Sequence, residues 1–575
     1  MDYSIKIGGE AGQGIQTIGE GLGRIFTRAG YHVFSHQDYE SRVRGGHNFY
    51  QLRFANHPLA ASRQNMDILV ALDRESITYH GHELTPGGRI IYDAAALDFS
   101  SDDPAFLAIP FEKLAQEQGG SKIMANTVAT GAVLGMLGLE LDLLLKLIAA
   151  LFHKKGDAVV EANRNAARAG YQFAREHGDE SSFEVAAGEG QQRLFINGIE
   201  AIGLGALASG CTFYAAYPMT PSTGILNFLA SKGKEYGVMV EQAEDEIAAI
   251  NMALGASYAG LRAMTGTSGG GFALMTEGLS LAGMTETPVV IAMGQRPGPA
   301  TGLPTRTEQG DLSFLLTAGH GEFPRVILAP GTARQAFYLT NKAFELAEKY
   351  QIPVFLLFDT YLGDSQWTYD DFDLSQVSYH DYRLRGEAFG EQQDYKRYAH
   401  TDSGVSPLGV PGDAAHLVVV DSDEHDEDGH IIEDKATRNQ MVEKRLFRKL
   451  PLIKGEIAPP ELYGEQEPRV VLVGWGSTYG VMKEAVDALA ESEKIAMLHF
   501  SEIFPLPDMA SFDYRAFLDQ AQLTLCIELN ATGQFSRLLR AETGFEFKAA
   551  IHKYDGRPFT VEELIGEIHG HIKDI

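Results

Sequence analysis

The run Pro288-Val-Val-Ile-Ala-Met-Gly294 has no polar side chain. A strand with one wet face alternates polar and apolar residues, so an unbroken apolar run reads as a strand buried on both faces. Such a strand needs helices on both sides, which selects a mostly parallel α/β sheet. Neighbouring segments follow the same pattern. Thr212–Ala216 (TFYAA), Val238–Gln242 (VMVEQ) and Ile352–Asp359 (IPVFLLFD) read as further strands. Between them, Asn197–Gly210 and Asp245–Gly260 are rich in small residues and read as closely packed helices. Arg262–Gly271 (RAMTGTSGGG) reads as a strand plus a glycine loop, with a helix from there to about Met284.

The stretch after the buried run is Gln295–Leu312, QRPGPATGLPTRTEQGDL. Proline lacks the donor and glycine the side chain that a helix or central strand needs, so this is a loop. Ligands of open α/β sheets bind at the carboxyl ends of strands, where such a loop emerges. Arg296 and Arg306, with Thr301, Thr305 and Thr307, suit a carboxylate or phosphate. Glu308 and Asp311 lie near its end. An ordinary surface loop with incidental charges is the other reading. A second irregular stretch, Tyr217-Pro-Met-Thr-Pro-Ser-Thr223, follows the strand TFYAA, and Ser222 or Thr223 is placed to cap the helix after it.

At the N-terminus a short strand, IKIGG, runs into a turn with Gly9, Gly12 and Gly14, then a helix over about Ile15–Ala29. The GxxGxG spacing is not the dinucleotide fingerprint. Glycines there either let backbone N–H groups meet an anion at the helix start or let the helix pack closely on the strand. Arg42 and Arg44, spaced to point the same way if extended, flank His47 in SRVRGGHN and suggest an anion site or a solvated pair. Glu176–Gln192 is polar and reads as a linker, and Asp421–Asp428 as a solvated acidic turn without EF-hand spacing.

At 575 residues the chain exceeds a single domain severalfold. Its formal charge of −29 disfavours nucleic acid or an anionic membrane as the main partner. The two cysteines, Cys211 and Cys526, lie too far apart in sequence for a CxxC and are too few for a disulfide framework, a structural zinc or a four-cysteine cluster. With no signal peptide or membrane-length apolar run, the sequence points to a cytoplasmic protein.

YPMTPST, the helix beginning at Glu246 and RPGPATGLPTRTEQGDL together resemble the 2-oxoacid:ferredoxin oxidoreductases, in particular the alpha subunit with a gamma-type domain fused at its N-terminus. The resemblance spans nearly the whole chain. Met219 stands where isoleucine is commoner, and Ala300 where serine is frequent. It implies three α/β domains: a gamma-type, coenzyme A-associated domain over 1–180, a mostly parallel thiamine-diphosphate-binding-type domain over 194–365, and a smaller transketolase C-terminal-like domain over 467–575. A linker at 181–193 and an irregular region at 366–466 connect them.

In that family a carboxylate hydrogen-bonded to the thiamine pyrimidine favours the tautomer whose nitrogen takes the C2 proton, and Glu246 matches that position. Glu241, Glu244 and Asp245 are close competitors, and a helix N-terminal acid favoured by the macrodipole is the structural alternative. The resemblance assigns oxoacid binding to Arg296, Thr220 and Thr305, with Tyr217 and Pro218 as pocket wall, and the coenzyme A diphosphate to Gly12, Gly14, Arg42 and Arg44.

No GDG…N run for Mg²⁺ and the cofactor diphosphate occurs, so both, with a 4Fe–4S cluster, are expected on a beta subunit. That subunit would share the thiamine diphosphate and meet ferredoxin, within a dimer of alpha–beta heterodimers. The implied reaction is conversion of 2-oxoglutarate and coenzyme A to succinyl-CoA and CO2, because the fusion and the EHDEDG segment (Glu424–Gly429) resemble that branch. Pyruvate or a broad range of oxoacids, a non-catalytic coenzyme A-binding scaffold, and a self-contained transketolase-like enzyme are the alternatives.

Overall fold

The computed structural model describes residues 1–42, 45–178, 183–188, 191 and 193–573. The chain divides into two compact units. The first comprises Met1–Ile196, Asp364–Phe372 and Thr560–Leu564; the second comprises Asn197–Gly363, Asp373–Phe559 and Ile565–Ile575.

The first unit is built on an eight-stranded mixed sheet. Asp2–Ala11, Met66–Ala71, Leu84–Tyr92 and Phe106–Ala108 run parallel. Gly45–Ala55 and His32–Asp38 continue the sheet antiparallel. Gln366–Tyr369 joins it with Gln366 opposite Ser35, so the region read as irregular from residue 366 begins with a strand of this unit. Ile15–Arg28 packs on the sheet through Ile18, Leu22, Ile25 and Phe26, one face of a 3.6-residue period. Where Ala125–Met136 meets Asp157–His177, Gly131 and Gly170 let the backbones touch, because a Cβ at either would run into the other helix's carbonyl.

The second unit holds a seven-stranded sheet and a five-stranded sheet. In the larger one, Met239–Gln242, Phe213–Ala216, Ala263–Ser268, Val289–Gln295, Pro353–Asp359 and Val326–Leu328 are all parallel, and Glu502–Phe504 closes one edge antiparallel. Val289–Gln295 lies at the centre and is buried throughout, as its apolar run requires. Register aligns Ser268 with Gly294 and Gln295 with Asp359, so the loops after these strands leave along one edge. The smaller sheet orders Glu461–Gly464, Ile495–Phe500, Val470–Trp475, Leu523–Glu528 and Ala549–His552, with only the first antiparallel.

Three local expectations need correction. Gly269–Gly271 is not a loop but the first turn of the helix Gly269–Met284. Ser222 stands at the N-cap of Thr223–Tyr236 without capping it; its hydroxyl donates to the Met219 carbonyl at 2.8 Å. The acidic turn is not simply solvated, since Glu424 pairs with Arg445 at 2.8 Å and with Arg438. Among the described residues no helix is long and apolar enough to cross a membrane.

The 373–466 part of the connecting region is held to the large sheet's layer by a buried charge cluster. Glu286, in left-handed backbone (φ 48°), receives Lys444 at 2.5 Å and also Lys449, all three fully buried. Arg397 donates to the Glu286 carbonyl at 2.7 Å. Burial pushes the Glu286 carboxyl up, but Lys444, Lys449 and Arg397 outweigh it and hold the group well below the carboxylate range. Removing the one anion leaves two buried ammoniums without a counter-charge, which costs about 3–5 kcal/mol. Glu286→Gln is expected to bring forward the thermal unfolding of this unit; an unchanged transition would show that the cluster is not what holds the region.

A candidate active site at the carboxyl edge of the large sheet

Three consecutive glycines bring the site's elements together. Gly269, Gly270 and Gly271 open the helix Gly269–Met284, directly after the strand Ala263–Ser268. A Cβ on Gly271 would strike Glu246 Oε1 and Thr267 Oγ1. One on Gly269 would lie 2.7 and 2.9 Å from the two Asp311 carboxylate oxygens, and one on Gly270 would approach the Ala300 carbonyl at 3.8 Å. The helix start therefore reaches the helix Glu246–Tyr258 and two points of the Gln295–Leu312 loop because it has no side chains to intervene.

Glu246 is the first residue of its helix, and Asp245 caps that helix by accepting from the Ala248 N–H at 2.7 Å. Of the four neighbouring acids, Asp245 is a cap, Glu241 and Glu244 are exposed, and Glu246 is 3 % exposed. Its Oε1 has no hydrogen-bond partner. A buried carboxylate oxygen without a donor is costly, by about 1–3 kcal/mol or more, unless something else supplies one. Beside it, Ser268 Oγ and Asp311 Oδ2 are also buried and unpartnered. Ser268 and Asp311 both occupy N-cap positions and neither caps its helix.

The two loops read from sequence as ligand-binding meet here. Pro221 lies over the end of the central strand, where a Cβ on Gly294 would be 2.7 Å from the proline Cγ. Arg296 Nη1 donates to the Thr220 carbonyl at 2.9 Å, leaving the rest of a five-donor guanidinium for other partners. Tyr217 and Pro218 lie on the rim, Tyr217 40 % exposed. Thr305 is in a turn closed by Arg306 N–H donating to the Leu303 carbonyl at 3.1 Å.

The far end of the loop is fixed by the smaller sheet's connections. Gln309 is fully buried; its Nε2 donates to the Trp475 carbonyl at 2.8 Å and its Oε1 accepts from Leu529 N–H at 3.0 Å. Nearby, Asp359 accepts from Ser477 Oγ and from Leu362 N–H at 2.8 Å, and burial raises its carboxyl to about 6 against those bonds.

The family model described as "Pyruvate flavodoxin/ferredoxin oxidoreductase, thiamine diP-bdg" matches residues 204–444, and "Pyruvate ferredoxin/flavodoxin oxidoreductase" matches 4–173. The 2-oxoacid:ferredoxin oxidoreductase subunit alpha of a Sulfolobus species is 32 % identical over 639 aligned positions, covering 100 % of this chain and 98 % of the relative. The chain belongs to the 2-oxoacid:ferredoxin oxidoreductase alpha subunits. The 2-oxoglutarate synthase subunit KorA of Archaeoglobus fulgidus is 34 % identical over 66 % of this alpha subunit and 99 % of its own length. A solved structure of 2-oxoglutarate:ferredoxin oxidoreductase from Magnetococcus marinus, with 2-oxoglutarate, coenzyme A and succinyl-CoA bound, superposes with a TM-score of 0.92 at 32 % identity, covering 99 % of each chain.

In the alpha subunit's first unit, Gly12, Gly14 and Arg42 line one cleft of about 540 Å³ with Asp38, Glu40 and Tyr39. Gly14 is in left-handed backbone (φ 84°) at the N-cap of Ile15–Arg28, whose first turn has no acidic residue. Arg42 pairs through its Nε with Glu40 at 2.9 Å, and its side chain is largely exposed. Arg44 lies outside the described residues.

Sequence reasoning missed Asp311 and the glycine turn as parts of the site. The acid was visible at the loop's end, but its burial against Gly269 depends on a segment about forty residues earlier. Gly271→Ala is expected to lower oxoacid-dependent dye reduction by about tenfold or more, since overpacking here costs about 1–3 kcal/mol. Activity within twofold of wild type would show that the glycine is not needed for the approach to Glu246.

Proposed function

We propose that this chain is the alpha subunit of a 2-oxoglutarate:ferredoxin oxidoreductase, converting 2-oxoglutarate and coenzyme A to succinyl-CoA and CO2 with reduction of ferredoxin. What supports the substrate is the near-complete mutual coverage with the Magnetococcus marinus enzyme holding 2-oxoglutarate. Thiamine diphosphate, when bound, supplies a carbon nucleophile and an electron sink for decarboxylation. The residues present fit its aminopyrimidine half. Glu246 offers a buried, unpartnered carboxylate oxygen, seated against the bare backbone of Gly271.

Glu246 accepts a hydrogen bond from the pyrimidine ring and so holds the proton that sets the ring's tautomer. Its burial strengthens that bond, because little water competes for the carboxylate. Arg296 binds the carboxylate next to the keto group, with its guanidinium orientation fixed by the Thr220 carbonyl. Thr220 and Thr305 orient the oxoacid by hydrogen bonds, and Tyr217 and Pro218 wall the pocket against water.

The remaining parts belong to a partner. With two cysteines, both buried and one per distant strand region, this chain cannot hold a four-thiolate cluster. A beta subunit supplies the cluster, the Mg²⁺–diphosphate site and the face for ferredoxin, in a dimer of alpha–beta heterodimers. The first unit, over about residues 1–180, takes coenzyme A, with Gly12 and Gly14 meeting the diphosphate at the helix start and Arg42 lining the same cleft; Arg44 is assigned to it from the sequence alone. The large-sheet region over 194–365 holds the thiamine site, and 467–575 braces its loop.

The test is a substrate panel on the reconstituted complex, read by reduction of a one-electron dye. 2-Oxoglutarate is expected to give the highest kcat/KM; a preference for pyruvate would overturn the substrate assignment. Glu246→Gln is expected to lower kcat by about 10²–10⁴-fold, the usual worth of a positioned acid–base group. Arg296→Ala is expected to raise KM steeply, by about 2 kcal/mol or more in binding. Unchanged kinetics in either variant would remove that residue from the site.

A further inference from the structure

Asp311 carries an unexplained arrangement at the edge of this site. It stands at the N-cap of Leu312–Thr317, where an aspartate ordinarily accepts from the second or third N–H of the helix, and it makes no such bond. Its carboxylate turns instead onto Gly269, the first residue of a 16-residue helix, where only the missing side chain admits it. Its Oδ2 is buried and unpartnered. Its own N–H donates to Gln295 Oε1 at 3.1 Å, and Gln295 precedes Arg296, so the acid is tied to the strand end that carries the guanidinium.

The charges facing it are few. Arg296 and Glu308 act on it from its own loop; the helix packed against it presents Gly269 and Gly270, which carry none, and Glu246 lies beyond Gly271. When no oxoacid is present, Asp311 is the acid whose charge acts on Arg296. An oxoacid carboxylate arriving on Arg296 displaces that role and adds negative charge next to Asp311 and Glu308. Like charges in a poorly solvated site do not all stay ionised; the one that is easiest to neutralise takes a proton.

We propose that Asp311 takes up a proton from solvent when the oxoacid carboxylate settles on Arg296, so that substrate affinity in this site is coupled to pH through Asp311. The proposal rests on Arg296 being the carboxylate anchor. Burial and the Glu308 charge raise the Asp311 carboxyl to about 6, while Arg296 opposes them, so the acid is poised for this exchange near neutral pH. The sign follows from proton linkage. Below that value Asp311 is already neutral and binding does not depend on pH. Above it each binding event takes up a proton, and the apparent dissociation constant rises, by up to tenfold per pH unit.

The experiment measures 2-oxoglutarate binding to the complete complex between pH 6 and 8, by the shift of its thermal midpoint and by KM and kcat in parallel. Both oxoglutarate carboxyls are ionised across this range, so the ligand contributes no slope. In the wild type the binding constant and KM are expected to rise together by tenfold or more, with kcat changing less. Asp311→Asn keeps the shape and removes the charge; it is expected to flatten the pH dependence and to bind more tightly than wild type at pH 8. A wild-type slope retained in Asp311→Asn overturns the proposal. An Arg296→Ala complex separates it from the reading beneath it: unchanged affinity there sinks the anchor itself, whereas lost affinity there with an unaltered slope in Asp311→Asn sinks only the coupling. An unligated thermal midpoint of Asp311→Asn far below wild type would assign the residue to structure and also count against the proposal.

Discussion

A carboxylate oxygen buried without a donor is the constraint from which the site follows. Glu246 Oε1 lies against the bare backbone of Gly271, close to Thr267, and burial of that kind is tolerated only where the rest of the structure fixes it. Here the fixing comes from close packing. Gly278 admits Ile250 of the Glu246 helix, with a Cβ position 2.7 Å from its Cγ2, and Asp245 holds that helix's first turn. The lack of side chains over Gly269–Gly271 lets the acid pack there and leaves no side chain on that turn to satisfy it.

The loop opposite is held from two directions. At its start Pro221 packs on Gly294 and Arg296 reaches the Thr220 carbonyl. At its end Gln309 is bonded on every polar side to Trp475, Leu529 and Asn530. Between these anchors the chain carries the threonines and the second arginine. A guanidinium oriented in advance in this way costs less ordering entropy when it takes a ligand.

Much of this was legible in the sequence, and the misses have physical causes. Apolar runs such as Val289–Gln295 announce buried parallel strands because both faces must be apolar, and Glu246 was identifiable at the start of a small-residue helix. The strand Gln366–Tyr369 was not, since its partner Ser35 lies more than three hundred residues earlier and four residues carry too little pattern. The helical stretch from Lys435 to Lys454 was hidden for a different reason: the side chains it buries include Lys444 and Lys449, which look like surface residues until Glu286 is placed between them. Asp311 was read only as an acid near the end of a loop, because burial is a property of what packs against it. The glycine triplet was read as loop because propensity disfavours it in helices, yet close packing at both sides overrides about 1 kcal/mol per residue.

The bonding of Gln309 has a bearing on how such proteins can be recombined. Because the peptide groups that grip this glutamine belong to the strand ends of the smaller sheet, the shape of the Gln295–Leu312 loop is encoded in two stretches separated by more than one hundred and fifty residues. A hybrid that exchanged the carboxyl-terminal region with that of a divergent cousin would inherit a differently seated loop, even with every residue of the loop itself left alone.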